Sequence, residues 1–350
     1  MFNDEIYKKL LNAGELFHYA DRFRHQCFTI VFRSWLDFEV MIEDLKVLQS
    51  AQIRLAIFFK NPNDSELKNR LESLCRFNTQ FAITKSLAQE PTASRSLIYL
   101  PEHLESSSIL ESIKNCQSRK LIFINIYPQI DSNEKPASYC TPAEWLAYSS
   151  KDENYDSLLE YAESLDSKTN IVLLKAEPGE LFKEVFTHVG SGTLIASDYE
   201  IKFEKASLQH ASDIYYLILS YVVERIMLPV SREEILRSID NFYILSIDDS
   251  VVASLLIKPY GKACELAKLC TLPRYRKLGL AKNLIAQVIE SFEKDSDKSY
   301  CFALSNNSKV VDLFVSLGFE RCERKSLPEL WQSQYDFSRH SEACRFSLKS

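Results

Sequence analysis

Glycine is scarce in this sequence, and its distribution excludes one class of site from the first half. The chain has 350 residues and seven glycines. None lies between Gly14 and Gly179. Loops that cradle nucleotide phosphates use glycine because only a residue without a Cβ lets the backbone come that close. The first half therefore has no glycine-rich phosphate loop, and ATP chemistry is not expected there.

The sequence also lacks the patterns of membrane proteins, nucleic-acid-binding proteins and metal sites. Its longest apolar stretch, residues 214–228, is interrupted by Glu224 and Arg225 and is too short to span a bilayer. Lys and Arg number 42 and Asp and Glu 48, and this net charge of −6 disfavours binding to DNA or an anionic membrane. The nine cysteines form no C-x-x-C pair and the six histidines no paired spacing, so no metal is expected. These features predict a cytoplasmic protein with reduced thiols.

The first half of the chain alternates short apolar runs with amphipathic stretches. The apolar runs are nearly continuous, as in strands buried on both faces of a sheet, and lie at residues 28–32, 53–59, 96–100, 120–126 and 170–174. The amphipathic stretches lie between them, at residues 37–49, 66–76 and 156–165. This alternation predicts a mostly parallel α/β layer fold. The polar sequence SDY at residues 197–199 marks a boundary between domains 1–197 and 198–350.

The second half has a different order of elements. A strand at the start is followed by two helices, the second opening on the capping-box sequence SREE at residues 231–234. A hairpin, a strand at residues 264–272, a helix, a strand and a last helix complete the order. Gly318 stands where the last helix is expected to stop.

The junction between the strand at residues 264–272 and the next helix carries the strongest functional signal. Two small residues, Gly279 and Ala281, stand where a loop turns into a helix N-terminus. Free N–H groups and the positive end of the helix dipole favour anions there. Positive charge is added by Arg274, Arg276, Lys277 and Lys282. The loop is a candidate polyphosphate site, and the alternative is a basic turn of an ordinary strand–helix unit.

The element order of the second half and the motif R-x-x-G-x-A at residues 276–281 resemble the GNAT superfamily of N-acetyltransferases. In that family a loop of this pattern binds the pyrophosphate of acetyl-CoA. The resemblance implies a mixed α/β domain that uses acetyl-CoA and no metal. The implied cofactor contacts are Cys270, Leu272, Arg274, Arg276, Lys277, Leu278, Gly279, Leu280 and Ala281.

Longer segments resemble one family of amino-acid acetyltransferases more closely. SREEILRSIDNFYIL, ELAKLCTLPRYRKLGLAKNLI and SLPELWQSQYDFSRHS are similar to the acetyltransferase half of bacterial N-acetylglutamate synthases, which act in arginine biosynthesis. ELFKEVFTHVGSGTLI and FRHQCFTIVF are similar to the end and the beginning of that family's amino-acid-kinase-like domain. The implied fold class is α/β with two domains: a reduced, three-layer kinase-like sheet in residues 1–197 and a GNAT domain in residues 198–350. The implied reaction is N-acetylation of L-glutamate or a related amino acid.

The same resemblance assigns the chemistry to two residues. Glu265 matches the family's glutamate, a base for the acceptor's α-amino group, which is largely protonated at neutral pH. Ser305 matches the family's proposed proton donor to the departing thiolate, and a backbone N–H near Cys270 would bind the acetyl carbonyl. The alternatives are a solvated strand carboxylate for Glu265 and a helix cap for Ser305, because Ser-Asn-Asn is good capping sequence.

Glutamate brings two carboxylates that need cations, and the resemblance implies Lys268, Arg339 and Ser341 as its contacts. On a regular strand Glu265 and Lys268 would face opposite sides, so a shared site requires a β-bulge. The alternatives are a surface lysine and an arginine that anchors the tail. The family's arginine before the SREE box is missing, and Arg232 is a candidate substitute. The sequence therefore leaves the identity of the acceptor open.

The glycines at the end of the first half match a regulatory site of the same family. In arginine-sensitive relatives a glutamate and a G-x-G-T segment help to bind the inhibitor L-arginine, and Glu184, Gly190 and Gly192 match those positions. The alternative is a plain turn into a closing strand. Relatives form rings through the kinase-like domain, which implies a homo-oligomer.

Three hypotheses for the function follow. The first is acetyl-CoA-dependent acetylation of L-glutamate. The second keeps the reaction but changes the acceptor to another amino acid or amine, because of the missing arginine. The third is a regulatory or scaffold protein whose transferase half has decayed, and the intact loop, Glu265 and Ser305 argue against that decay.

Overall fold

The chain divides into two compact units, Asn12–Tyr199 and Glu200–Ser350, with Met1–Leu11 grouped with the second. The computed structural model describes residues 4–101, 105–126, 131–132, 135–136, 138–141, 144–145, 170–195, 201–247, 250–276, 278–295 and 297–348. The expected domain boundary at residues 197 and 198 and the expected helix at 156–165 lie outside these residues. Among the described helices, none combines the length and the apolar character that a bilayer crossing needs.

The first unit is built around an eight-stranded sheet. In spatial order its strands are β3 (Phe81–Thr84), β4 (Ser96–Tyr99), β2 (Arg54–Phe59), β1 (Cys27–Phe32), β5 (Ser118–Ile124), β9 (Asn170–Leu174), β10 (Thr193–Ile195) and β8 (Tyr139–Cys140). β6 (Asp131–Ser132) and β7 (Lys135–Pro136) form a separate pair. All pairs in the large sheet are parallel except β9 with β10. The predicted mostly parallel sheet is confirmed, and the burial of every residue of β1 explains its continuous apolar sequence.

The helices before residue 200 differ from the prediction in number. They are α1 (Asp4–Arg22), α2 (Trp35–Val40), α3 (Ile42–Ser50), α4 (Ser65–Phe77), α5 (Ser106–Cys116) and α6 (Glu180–Phe186). The single helix predicted over residues 37–49 is two helices, because the backbone leaves the helical range at Met41, which ends one and begins the other. Met41 is fully buried, so packing of its side chain accompanies the break.

The second unit is built around a seven-stranded sheet. In spatial order its strands are β11 (Lys202–Lys205), β12 (Phe242–Ile247), β13 (Ser250–Tyr260), β14 (Ala263–Thr271), β15 (Tyr300–Ser305), β17 (Glu342–Ser347) and β16 (Glu320–Cys322). Only β14 and β15 run parallel to each other among these neighbours. The connection between them is a helix, as a parallel pair requires.

The helices of the second unit follow the predicted order as far as the helix that was expected to be the last, and one further helix comes after it. They are α7 (Ala211–Val223), α8 (Arg232–Arg237), α9 (Leu280–Asp295), α10 (Ser308–Ser316) and α11 (Glu329–Gln334). The capping box is confirmed, because Ser231 accepts from the Glu234 N–H and the Glu234 carboxylate accepts from the Ser231 N–H. Gly318, with a φ of 93°, follows the end of α10 as expected.

β14 and β15 share only their first residues. Their ladder joins Ala263, Cys264 and Glu265 to Tyr300, Cys301 and Phe302. Beyond Glu265, β14 stays paired with β13 as far as Thr271, and β15 stays paired with β17 as far as Ser305. Along these described residues the facing edges of the two strands are therefore unpaired, and the sheet opens between them.

Candidate active site

A β-bulge changes the direction of the chain at Lys268. In the antiparallel pair of β13 and β14, Ser254 faces Cys270, but Leu256 faces Ala267, so two residues of β14 stand opposite one of β13. Lys268 is one of the two and has a φ of 52°, in the left-handed region. The bulge that a shared site of Glu265 and Lys268 requires is therefore present.

A tight turn places Lys258 beside Glu265. Tyr260 pairs with Ala263 across a two-residue turn that begins with Gly261, whose φ of 63° suits such a turn. This register puts Lys258 directly opposite Glu265. The Lys258 Nζ lies 4.0 Å from the Glu265 Oε2, and the Tyr260 hydroxyl donates to the same oxygen at 3.5 Å.

Glu265 is a largely buried carboxylate surrounded by cations. Its side chain is 16% exposed. Burial, the largest influence, raises the pKa of Glu265, while the positive charges of Lys258, Lys268 and Arg339 and the Tyr260 hydroxyl act in the opposite direction. A carboxyl group with a raised pKa is a stronger base than a solvated one, which is the property that amine deprotonation needs.

Lys268 binds the backbone at the point where the sequence lacks an arginine. Its Nζ donates to the Leu228 carbonyl oxygen at 2.7 Å. Burial, followed by the charge of Lys258, lowers the pKa of Lys268 to about 8. The Lys268 ammonium is therefore held by the segment before the SREE box, and near neutral pH it is a weaker cation than an exposed lysine.

Arg339 and Ser341 lie in the segment between α11 and β17. Arg339 is exposed, with its guanidinium 6.0 Å from the centre of the Tyr335 ring, and its charge acts on both Glu265 and Lys268. The Ser341 hydroxyl lies 2.6 Å from that of Tyr335. The structure thus places Glu265, Lys268 and Arg339 within electrostatic range of one another. Arg232, the candidate substitute, instead donates to the Ser212 hydroxyl at 2.7 Å.

A cavity of about 400 Å³ opens beside Ser341. Its lining is rich in charge and includes Arg321, Cys322, Glu323, Arg324, Lys325, Phe337, Ser341, Glu342 and Ala343. The Arg324 guanidinium donates to the Arg339 carbonyl oxygen at 2.7 Å and so ties the rim of the cavity to the segment of Arg339.

The predicted anion loop ends in a left-handed glycine followed by the free N–H groups of a helix N-terminus, as its sequence implies. Gly279 is exposed, has a φ of 75°, and would accommodate a Cβ with no heavy atom within 4 Å. The first intrahelical bond of α9 runs from the Asn283 N–H to the Gly279 oxygen at 2.9 Å. The N–H groups of residues 280–282 precede that bond, so they point out of the helix end toward any bound anion.

Two residues that the sequence interpretation missed hold the start of this loop. The Arg276 guanidinium lies 3.2 Å from both carboxylate oxygens of Glu224 and 4.8 Å from the centre of the Tyr221 ring. The Tyr221 hydroxyl accepts from the Thr271 N–H at 3.0 Å and donates to the Thr271 oxygen at 2.8 Å. Tyr221 and Glu224 come from α7 and the residue after it, so only the folded chain brings them to the loop.

Some predicted cofactor residues are placed differently from the rest. Arg274 is buried, with 8% of its surface exposed, so its guanidinium does not lie on the surface of the loop. The Leu272 N–H donates to the Val252 oxygen at 2.8 Å, and Cys270 is buried on the strand. Leu278 is exposed beside Gly279, and Lys277 lies outside the described residues.

Ser305 ends β15 at the open side of the sheet. Its hydroxyl oxygen accepts from the Asn307 N–H at 3.0 Å, and the Asn307 side chain caps α10 by accepting from the Lys309 N–H. The cap expected in Ser-Asn-Asn is therefore Asn307. No acceptor for the Ser305 hydroxyl hydrogen occurs among the residues that the structure describes, so this proton is available for donation.

In the first unit, Glu184 and the glycine turn meet. Glu184 is buried; its Oε1 lies 3.3 Å from the Lys120 Nζ, and its Oε2 accepts from the N–H groups of Ser191 and Gly192, both at 3.1 Å. The Gly190 N–H donates to the Thr187 hydroxyl. A Cβ on Gly192 would lie 2.6 Å from the Leu173 oxygen, so glycine is required there by packing. These contacts are also those of a plain turn into β10.

Comparisons with known proteins place the second unit in a class. Residues 208–319 match the family model of the acetyltransferase (GNAT) family, so this unit contains a GNAT domain. Over 183 residues the chain is 28% identical to an amino-acid acetyltransferase of Pseudomonas aeruginosa, a match that covers 52% of this chain and 42% of that protein. An amino-acid acetyltransferase of Photorhabdus laumondii is 29% identical over 173 residues, 49% of this chain and 38% of its own length. The chain thus matches less than half the length of these curated relatives.

One solved structure is similar over nearly the whole chain. It is the N-acetylglutamate synthase from Neisseria gonorrhoeae, crystallised with coenzyme A and L-arginine, with a TM-score of 0.58, 17% identity, and coverage of 96% of this chain and 98% of that one. At this identity the likeness establishes the fold. The resemblance found in the sequence and the two-part α/β fold class are therefore confirmed.

Proposed function

We propose that this chain transfers the acetyl group of acetyl-CoA to the α-amino group of an amino acid, with L-glutamate as the acceptor. The observation that carries the proposal is the placement of Glu265. It is a largely buried, cation-flanked carboxylate at the last residue before β14 and β15 separate. The GNAT match and the acetyltransferase relatives support the same reaction.

The loop before α9 suits the diphosphate of acetyl-CoA. The N–H groups of residues 280–282 and the exposed, left-handed Gly279 would face the phosphates. Arg276 would contribute less charge than the motif implies, because Glu224 neutralises part of it. Binding therefore depends on backbone N–H groups more than on side-chain cations.

The proton transfers then fall to two side chains. Glu265 would accept a proton from the acceptor's ammonium group, directly or through water, and leave a neutral amine. That amine would attack the thioester carbonyl, and the carbon–sulfur bond would break as the amide forms. Ser305 would donate its hydroxyl hydrogen to the departing sulfur and recover a proton, through water, from the acylated nitrogen, which loses its second proton as the amide forms. Glu265 then returns its proton to solvent. The reaction yields the N-acetyl amino acid and the free thiol.

The acceptor's carboxylates would meet the cations around Glu265. Arg339 is exposed and its charge reaches Glu265, so it would bind one carboxylate. A second candidate acceptor, an amino acid with one carboxylate, is favoured by the absence of the arginine before the SREE box. The two acceptor classes differ in the number of carboxylates that the cations of the site must bind.

The test is an acetyl-transfer assay that measures free thiol with L-glutamate, L-glutamine, L-alanine and L-lysine as acceptors. We expect L-glutamate to have the highest kcat/KM. Glu265→Gln should lower kcat by a factor of about 100 or more, because a neutral amide cannot take the proton, and should leave the Kd of acetyl-CoA unchanged. Glu290→Gln, on an exposed face of α9, is the matched control. L-glutamate among the poorest acceptors would exclude it as substrate, and no transfer to any acceptor would exclude the reaction.

L-Arginine remains a proposed inhibitor, supported by the resemblance at Glu184, Gly190 and Gly192. The Glu184 carboxylate already has a lysine and two backbone N–H partners, so arginine binding would have to displace one of them. The same assay with added L-arginine tests this proposal. A velocity that does not change with arginine favours the plain turn.

A further inference from the structure

The ammonium group of Lys258 makes no hydrogen bond to the described part of the chain. Its side chain is 45% exposed, and its Nζ stands 4.0 Å from the Glu265 Oε2, beyond hydrogen-bond length. Within the described part of the chain, no acceptor lies within hydrogen-bond distance of this Nζ. Lys258 is therefore held near Glu265 by its strand position, and its half-exposed ammonium group is available to a ligand.

The other candidate cations have partners of their own. Lys268 donates to the Leu228 oxygen, and burial makes it a weaker cation. Arg232 donates to Ser212, and Arg276 is paired with Glu224. Lys258 and Arg339 are the two cations near Glu265 whose charged groups make no hydrogen bond among the described residues.

The strand register makes Lys258 a fixed part of the site. Lys258 and Glu265 are directly opposite each other on neighbouring strands, and the turn at Gly261 sets that register. Opposite residues on one face of an antiparallel pair have Cβ atoms about 4.5–5.5 Å apart. An amine placed against Glu265 would therefore have its attached carbon chain within reach of the Lys258 ammonium.

We propose that Lys258 is a specificity-determining residue that binds one of the two carboxylates of a dicarboxylic amino acid and supplies the positive charge that the missing arginine would give. The inference rests on the proposed function and deepens it, because it names the residue that selects the acceptor class. Arg339 takes the other carboxylate. Two acidic groups near the site have partners of their own: Glu234, whose charge acts on Lys268, is occupied by the capping box with Ser231, and Asp336, near Arg339, accepts from the Ser338 hydroxyl at 2.6 Å.

The simpler role for Lys258 is to hold a negative charge on Glu265. Its charge is the largest of those that lower the pKa of Glu265. Loss of Lys258 would then raise that pKa and shift the acidic limb of the kcat–pH profile to higher pH for every acceptor alike. A selective loss with a dicarboxylate is not expected from that role.

The experiment compares Lys258→Met and Lys258→Arg with the wild-type enzyme, using L-glutamate and L-glutamine, which differ in charge but hardly in shape. Lys262→Met, in the exposed turn of the same hairpin, is the matched control. Loss of a charged hydrogen bond predicts a roughly 10- to 100-fold increase in KM for L-glutamate with Lys258→Met, and a change below about threefold for L-glutamine. Lys258→Arg should restore most of the preference. Calorimetric binding of L-glutamate in the presence of CoA should weaken in parallel.

Equal losses with both acceptors, or no loss with either, would overturn the proposal. An equal loss with a shifted acidic limb would assign Lys258 to the pKa of Glu265 alone. A wild-type enzyme that acetylates none of the acceptors would contradict the proposed function itself, a result distinct from the failure of Lys258 to discriminate.

Discussion

Lys268 combines two energetic costs at one position. Its φ of 52° is unfavourable for a residue with a Cβ, and its ammonium group is largely withdrawn from water. The bond to the Leu228 oxygen offsets part of the second cost. Residues that keep such costs are frequent at functional sites, where the surrounding fold fixes their geometry.

The lowered pKa of Lys268 predicts a pH-dependent stability difference. Between about pH 8 and pH 10.5 the unfolded chain binds a proton at this lysine that the folded chain does not, so the wild type gains stability as pH rises through this window. Lys268→Met keeps the strained φ but has no charge to bury. Its free energy of unfolding relative to the wild type, measured by urea denaturation, should therefore fall from pH 7 to pH 10.5. Lys262→Met, in the exposed turn between β13 and β14, is the matched control, and a constant difference for Lys268→Met would refute the account.

At the residue scale, chemistry in the sequence predicted part of the site. The need for Glu265 and Lys268 to share a site led to the expectation of a bulge, which is present. Lys258 was missed, although the two-residue turn at Gly261 would have placed it opposite Glu265 had the two strands been paired by their register. Tyr221 had no local signal, because its contacts with Thr271 and Arg276 depend on how α7 packs.

At the scale of elements, the start of α9 is defined by its backbone. Gly279 takes a left-handed conformation and leaves the N–H groups of residues 280–282 exposed at the helix end. Gly261 is the matched glycine, since it too has a positive φ and open space around its Cα, but it lies in a hairpin turn. A side chain at either glycine would therefore cost similar stability. The two positions differ in their surroundings, because only Gly279 lies beside the free N–H groups of a helix end.

Gly279→Asp should abolish measurable binding of acetyl-CoA. The new carboxylate would stand where the diphosphate must lie, and like charges at short range repel strongly. Gly261→Asp should cost similar stability and leave the affinity unchanged. Isothermal calorimetry with acetyl-CoA on both variants measures the effect. Equal affinities for the two would mean that the diphosphate does not bind at the start of α9.

The elements of the second unit were easier to predict than those of the first. Alternating strands, a capping box and a C-terminal glycine define its boundaries, and the observed ends of α8 and α10 follow them. In the first unit α5 and β3 were missed. In α5 the buried Ile109, Leu110, Ile113 and Cys116 recur at helical spacing, so the sequence carried a signal there that the interpretation overlooked. β3 is four residues long and too short to show a clear period, so it depends on the sheet that it joins.

At the scale of the whole molecule, the two sheets of the chain differ in the orientation of their strands. The first unit is mostly parallel and the second mostly antiparallel. The apolar continuity of β1 and the hairpin expected over β12 and β13 were sufficient to distinguish the two from the sequence. The order of strands within each sheet could not be read in the same way, because it depends on contacts between residues far apart in the chain.

A ligand that binds the folded second unit must also stabilise it. Acetyl-CoA at a hundred times its Kd should add about 2.7 kcal/mol to the free energy of unfolding. For a unit of this size each kcal/mol raises the Tm by about 2–4 °C, so differential scanning calorimetry of the intact chain should detect the shift. Gly279→Asp should remove it. An equal shift in that variant would show that the ligand stabilises the protein from another place.

The parting of β14 and β15 has a consequence for evolution of the binding cleft. Unpaired strand edges offer carbonyl and amide groups at regular intervals, which is how a sheet accepts one more strand. The arm of coenzyme A that carries the thioester contains two amide groups. When extended, it presents N–H and C=O groups as a short peptide does. Acetyl-CoA would then be recognised by the main chain of residues 266–271. Substitution of side chains there leaves the backbone N–H and C=O groups in place. The acceptor pocket, built from side chains such as Lys258, is free to diverge while the acyl donor stays the same.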